Sequence, residues 1–353
     1  MRRMKKFVTG FLLILSFFAL LACSSKEETA SQLPVVKNPL TRSESLLHTV
    51  VQLSIYHEDQ ESAMDGAIEL IQELESLLST SLEGSDVYRI NEAAGKEAVK
   101  VDSRTFELIQ AALAASKNSD GRFDITIGVI NKLWNIGSEN ARKPEASEIA
   151  AALPSIDYKK VKLDEEKQTV FIEEGMSLEL GAISKGYIAD QVKVYFEEKG
   201  ISTAIINLGG NVVVMGTSPN QEDGWKVGVQ DPDKIRGATV GYVYQANRSI
   251  VTSGIYERYI EVDGNIYHHI LDPNTGYPVE NDISGVTVFT DQSTDGDALS
   301  TSLFIFGIEE GLAYVNSLDG VEAVFIDKEH GVHLSEGLKE AFVLTNEEYH
   351  LAN

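Results

Sequence analysis

The stretch from Leu178 to Asp190 constrains this chain more than any other. It reads Leu-Glu-Leu-Gly-Ala-Ile-Ser-Lys-Gly-Tyr-Ile-Ala-Asp. Apolar residues alternate up to Gly181, as in a strand, and from Ile183 they recur at helical spacing through Phe196. A strand that turns on glycine into a helix aims free backbone N–H groups at whatever sits before the helix, and such a start attracts phosphate. Lys185 adds a positive charge in the first turn, where it opposes helix stability. Two readings stay open at this point: an anion site, or a loop-to-helix junction with a surface lysine. The stretch is not a P-loop, because its lysine precedes Gly186 and only three residues separate that lysine from Gly181.

The 353 residues carry a formal charge of −24. That balance argues against nucleic acid as a partner, since phosphate backbones require Lys/Arg surfaces. It leaves room for one phosphate-bearing ligand in a local positive pocket or on a metal. Cys23 is the only cysteine, so the chain can form neither an internal disulfide nor a cysteine metal site. The N-terminus reads as an address. Arg2, Arg3, Lys5 and Lys6 precede an apolar run from Phe7 to Leu21, and Leu20-Leu21-Ala22-Cys23 follows. A charged start, a short apolar run and a small residue before the cut describe a secretory signal, too short to favour a spanning helix. A cysteine at the cut resembles a bacterial lipobox, whose thiol receives a lipid; the alternative is a plain signal peptide with an incidental cysteine. The expected layout is a lipoprotein signal peptide over 1–22, a flexible polar tether over 23–45, one domain over 46–346 and a tail over 347–353. The mature protein is expected outside the cytoplasm, anchored to the cell membrane through lipid on Cys23.

Within the domain, strands are expected over 47–56, 204–208, 212–216, 225–229, 239–245, 249–252, 283–289 and 323–327. Hairpins are expected over 161–172 and, around Asp263-Gly264, over 257–271. Helices are expected over 62–78, 105–116, 126–134, 144–153, 183–199 and from the acidic Asp291, Asp295 and Asp297 through Phe306. The polar segment 79–91 reads as loop. Phe123 reads as a core anchor and Asp124 as a cap for the helix that follows. Gly209 and Gly210 join two strands, as a tight turn or as a place for close backbone approach by a ligand. Strand alternation puts His269 and Leu271 on one face and His268 on the other. Asp297 and Thr301 are four apart and share a helix face, so a carboxylate and a hydroxyl there can share a hard cation.

Several short motifs fall in a fixed order along the chain: Ser-Asp-Gly-Arg-Phe-Asp (119–124), Glu-Leu-Gly-Ala-Ile-Ser-Lys-Gly-Tyr-Ile-Ala-Asp (179–190) and Asn-Leu-Gly-Gly-Asn (207–211), then Ser-Gly-Ile-Tyr-Glu-Arg (253–258), His-Ile-Leu-Asp-Pro-Asn-Thr-Gly (269–276) and Asp-Ala-Leu-Ser-Thr (297–301). In this set and order the chain resembles the ApbE family, the bacterial FAD:protein FMN transferases. The resemblance implies an α+β fold, a single domain of mostly antiparallel sheet with packed helices. It implies FAD as substrate, Mg²⁺ as cofactor, transfer of FMN to a Ser or Thr hydroxyl of a target protein, and release of AMP. The family's metal ligands fall on Asp297, Thr301 and the carbonyl of Ala182. Its FAD contacts fall on Arg122, Phe123, Asp124, Glu179, Lys185 and Leu271, and also on Leu47 and Ser81. Leu47 stands where the family often has Met, Glu179 where it often has Asp, and Asn211 where Asp is frequent.

For such a reaction His269 is the expected acceptor of the hydroxyl proton, because an unperturbed histidine titrates near neutral pH. Lys185 and Asp297 complete the expected catalytic set. The expected acceptor is an electron-transfer flavoprotein outside the cytoplasm. Two other functions use the same residues: an FAD pyrophosphatase that passes FMN to water, and a lipoprotein that only binds a flavin.

Overall fold

The computed structural model describes residues 33–353, so Cys23 and the signal segment over 1–22 lie outside the described residues. Strand β1 (Val35–Leu46) pairs antiparallel with β2 (Thr49–His57). The expected tether therefore gives way to sheet at Val35. Its polar sequence hides a strand because β1 is an edge, where Ser43, Glu44 and Ser45 are solvated while the backbone ladder holds the segment. In β2 the alternation is plain: Val51, Leu53 and Ile55 are fully buried. Each contributes on the order of 1.5–3 kcal/mol by leaving water.

Helix α1 (Glu61–Leu78) buries Met64, Ala67, Ile68, Ile71, Leu74 and Leu78, the face its spacing predicts. A short helix α2 (Asp86–Glu92) occupies the segment read as loop. The Ser85 side chain caps it by accepting from the Tyr88 amide, and Val87 and Ile90 anchor it. Next come β3 (Val99–Lys100), α3 (Ser103–Asn118), α4 (Gly128–Trp134), α5 (Ala146–Ala152), β4 (Lys162–Asp164) and β5 (Thr169–Phe171). The approach to Gly181 is not a strand of a sheet. It makes only a single bridge, Ser177 to Ile127, and runs beside the loop that follows α3.

After that loop come α6 (Ser184–Glu198), β6 (Ala204–Leu208) and β7 (Asn211–Met215). Gly209 and Gly210 turn between the two strands with φ of 64° and 110°, values that side chains resist. The chain continues through β8 (Trp225–Gln230), β9 (Thr239–Gln245), β10 (Arg248–Gly254), β11 (Tyr259–Val262), β12 (Asn265–His268), β13 (Ile283–Thr290), α7 (Ser293–Phe306) and α8 (Ile308–Val315). It closes with β14 (Glu322–Asp327), β15 (Gly331–Leu334), β16 (Val343–Leu344) and β17 (His350–Leu351). The segment expected as a free tail is thus tied in. β17 pairs parallel with β15, and buried Tyr349 donates its hydroxyl to Asp231 at 2.7 Å.

The main sheet has nine strands in the order β1-β2-β6-β7-β10-β13-β14-β15-β17, antiparallel except at the last pair. Helices α1, α3 and α6 cover one face over β2, β6 and β7, and α7 with α8 covers it over β13 and β14. The small sheet β16-β9-β8 covers the opposite face. Strand β13 lies between the two layers, so all eight of its residues are buried. The fold is the expected α+β architecture. Its helical layer brings the starts of α6 and α7 together.

Candidate active site

Neither α6 nor α7 has a side-chain cap of its own. Each is capped by a carboxylate from the other. Asp297 on α7 accepts the Gly186 amide of α6 on Oδ2 at 2.9 Å. Asp190 on α6 accepts the Ser293 and Thr294 amides at 2.8 Å each, and the Thr294 hydroxyl at 2.6 Å. Gly186 makes this approach possible, since a Cβ there would fall inside the Ser293 carbonyl. The first-turn lysine that looked unfavourable is offset in the same place. Lys185 Nζ lies 3.5 Å from Asp297 Oδ1 and 3.4 Å from the Gly181 carbonyl oxygen.

Because Gly186 holds Oδ2, the second oxygen of buried Asp297 turns toward Lys185 and the 181–185 bend. Thr301 follows one turn later and is half-buried. Its neighbours Ser300 and Ser302 place their hydroxyls on the carbonyls of Asp297 and Ala298, both at 2.9 Å. Thr301 makes no such bond among the described residues. The three donors assigned to a metal by resemblance are thus a carboxylate, a hydroxyl with no competing partner and, at half-buried Ala182, a carbonyl of the same bend. All are hard oxygens, which fits Mg²⁺ with its remaining positions given to water and phosphate. No group of three or more His, Cys, Asp or Glu able to hold a metal occurs among the described residues, and this donor set does not require one.

Glu179 precedes the bend. Its Oε1 accepts the Gly181 amide at 2.8 Å, and its own amide donates to the Ile125 carbonyl at 2.8 Å. Burial pushes its carboxyl up, against the pull of Gly181 and of the nearby Arg258 guanidinium. Arg258 also reaches His269: its carbonyl takes the His269 amide at 3.1 Å and ring Nδ1 at 3.2 Å. A carbonyl only accepts, so Nδ1 carries the proton and Nε2 of the neutral ring is free to take one. His269 is not the unperturbed histidine expected from sequence. Burial, then the charge of Arg258 and more weakly that of Lys185, push it down to about 3. It is neutral at physiological pH. Arg258, the last residue of the 253–258 motif, had no role in the sequence reading. Its exposed guanidinium makes no ion pair or hydrogen bond among the described residues.

The remaining expected contacts divide into two groups. The 122–124 segment lies beside Glu179 through the Ile125 carbonyl, but its side chains turn elsewhere. Arg122 pairs with Glu310 at 2.6 Å and stacks on Phe306, and Phe123 is in the core. Asp124 spends its oxygens on Thr126 N and Oγ1 and on Tyr158 N. Arg122 alone of the three keeps part of its side chain exposed. Leu271 is buried against Ile130 and Trp134, and the Trp134 indole N–H holds the Gly276 carbonyl at 2.8 Å. No hydrogen bond or ion pair joins Leu47 or Ser81 to these groups among the described residues. Leu47 occupies the β1–β2 turn with φ 55°, its amide held by Glu75 at 2.9 Å, and Ser81 lies exposed just after α1. An open cleft of about 810 Å³ runs beside this turn to Arg236, and Arg236 pairs with Glu257, next to Arg258.

Lys185 and the Asp297 carboxylate meet at the 181–185 bend, and the neutral His269 ring lies near enough to feel the lysine's charge, an arrangement suited to a phosphate ester accompanied by a hard cation. The ApbE family model matches residues 47–325, and the chain belongs to that family. A relative from Klebsiella pneumoniae, named FAD:protein FMN transferase, is 40% identical over 291 residues, covering 82% of this chain and 90% of its own. Another of that name, from Treponema pallidum, is 34% identical over 84% of this chain and 87% of its own. Among solved structures, the ApbE protein of Thermotoga maritima superposes with a TM-score of 0.79 at 32% identity, covering 86% of this chain and 99% of that one. The apo flavinyl transferase ApbE of Pseudomonas stutzeri gives 0.77 at 25% identity, covering 88% and 98%.

Proposed function

We propose that this protein is an FAD:protein FMN transferase that moves FMN from FAD to a Ser or Thr hydroxyl of an acceptor protein, with Mg²⁺ and with release of AMP. The observation that carries the reading is the meeting of Lys185 and Asp297 at 3.5 Å, which joins the 181–185 bend to the α7 donors. Asp297, Thr301 and the Ala182 carbonyl would hold the cation, which when bound supplies neutralising charge to the diphosphate.

The residues have distinct tasks. Lys185 binds and orients the diphosphate for in-line displacement. The acceptor oxygen forms a bond to the FMN phosphorus, and the bond from that phosphorus to the bridging oxygen breaks. AMP departs with that oxygen. His269 takes the hydroxyl proton on Nε2. Alone it is too weak a base, since burial first, and then the charges of Arg258 and Lys185, disfavour its charged form. The negative charge of the dinucleotide opposes those two cations and raises the imidazole toward its working range. Arg258 keeps the ring in the required tautomer through its carbonyl.

The acceptor is a flavoprotein of electron transfer outside the cytoplasm, and the enzyme is held beside it by lipid on Cys23. Palmitate labelling tests the anchor: label is expected on the wild-type chain and not on Cys23→Ala, and equal label on both refutes it. Incubating FAD with the enzyme, with and without acceptor, tests the reaction. Flavin-linked protein with AMP in equal amount is expected. Free FMN at the same rate in both incubations indicates a pyrophosphatase, and no AMP at all indicates a binder.

A further inference from the structure

The last residue of the 179–190 motif has no part in the scheme above, yet it is a buried carboxylate. We propose that Asp190 is a positioning residue for the transfer: by capping α7 from α6 it sets the place of Asp297, and with it the cation site. The proposal rests on the reading of Asp297 and Lys185 given above.

Asp190 accepts three bonds, all from the first two residues of α7: Ser293 N, Thr294 N and Thr294 Oγ1. Asp297 lies one turn further along α7 and returns a bond to Gly186, one turn before Asp190 on α6. Donor and acceptor residues alternate between the helices, so the two contacts close a ring. In that ring Asp297 has its carboxylate oriented by Gly186, and the start of α7 is held against α6 by Asp190. Gly186 and Gly296 let α7 approach α6 and β10 closely. Ser253 and Asn281 bond the middle and end of α7, at Ser300 and the Phe304 carbonyl, so Asp190 is the carboxylate that holds its first turn, the turn that leads to Asp297. Groups behind metal ligands commonly act in this way. Burial pushes the Asp190 carboxyl up, and its bonds to Thr294 and Ser293 oppose that rise.

The test compares the full-chain Asp190→Asn variant with wild type. Replacing one carboxylate oxygen by an amide sets a donor against an α7 donor. Mn²⁺ titrated into the enzyme–FAD complex and followed by electron paramagnetic resonance should bind ~10–100-fold more weakly. The Gly186 amide proton should move upfield in the ¹⁵N-correlated spectrum as its carboxylate partner shifts. Thr294→Val removes only the hydroxyl bond, keeps the fold, and should change both readouts in the same direction by about threefold. Val332→Ala, in β15 at the far end of the sheet, serves as a control of comparable destabilisation and should alter neither readout. Asp190→Asn or Thr294→Val matching that control in Mn²⁺ affinity and in the Gly186 signal overturns the proposal. Asp297→Asn separates the two claims: if it binds Mn²⁺ like wild type, the site reading itself fails, whereas loss there with none in Asp190→Asn defeats only the positioning role.

Discussion

The two sides of the site are built differently. On one side Gly186, Asp190 and Asp297 are buried between two helices that cap each other. On the other, His269 follows β12, in a two-stranded ribbon that pairs with no other strand and leaves Tyr259 and Ile266 52% and 62% exposed. A two-stranded ribbon is marginal by itself and depends on what it leans upon. Here its inner face leans on Trp134 through Ile260 and Tyr267. The contrast assigns a division of labour. On the proposed reading, the carboxylate that neutralises a diphosphate is held rigidly between two buried helix starts, while the base that meets the acceptor follows an exposed ribbon.

Substitutions on the two sides should therefore fail in different ways. The largest effect is expected for Asp297→Ala, which removes a proposed cation ligand and the cap of α6. Transfer should fall by ~10³-fold or more, with weakened response to Mg²⁺, and full magnesium-dependent turnover would move the metal elsewhere. His269→Ala should slow transfer by ~10²–10⁴-fold and leave FAD affinity close to wild type, as read by flavin fluorescence. Equal loss of affinity would mean that the two sides do not divide as described. Gly186→Ala forces a Cβ into the Ser293 carbonyl. It should cost about 1–3 kcal/mol in denaturant unfolding and lower FAD affinity with it, since the helices must part.

A smaller effect lies in pH. His269 is pushed from 6.5 to about 3 in the fold, so the unfolded chain takes a proton that the native ring refuses. Stability from this group is intact above 6.5 and is lost as pH falls toward 3. His269→Ala should lose less stability across that window in parallel melts; identical pH slopes would show that the ring is not shielded. The smallest effect is expected at Ile266→Ser on the outer face of the ribbon, within about 0.5 kcal/mol. A larger destabilisation would show that this face is covered in the folded protein.

Much of this architecture was readable from the residues. The α1 stripe, the 161–172 and 257–271 hairpins and the acidic start of α7 follow from spacing and turn chemistry. What escaped did so for definable reasons. β1 is a polar edge strand, and its partner lies across a turn at Leu47 and His48 with positive φ, which neither residue type announces. α2 depends on one serine cap and two buried side chains, too little periodicity to read. At the site, a meeting of the bend with α7 is implied by the family resemblance and not by spacing, and neither spells out the caps. One signal was present: Ile183, Gly186 and Asp190 share a helical stripe, and a glycine and an acid on an apolar stripe imply a close neighbour with backbone to satisfy. The depression of His269 was not legible, because its chief cause is burial by the fold, and Arg258 adds to it only through the ribbon.

The central claim is that the lysine-bearing bend and the α7 donors act on one magnesium-bound diphosphate. Intact-mass spectrometry of a co-incubated acceptor, with FAD and with or without Mg²⁺, tests it most directly. The account predicts an FMN increment on the acceptor with wild type and Mg²⁺, and none with Asp297→Ala or without the metal. An undiminished increment in either of those two samples would contradict it.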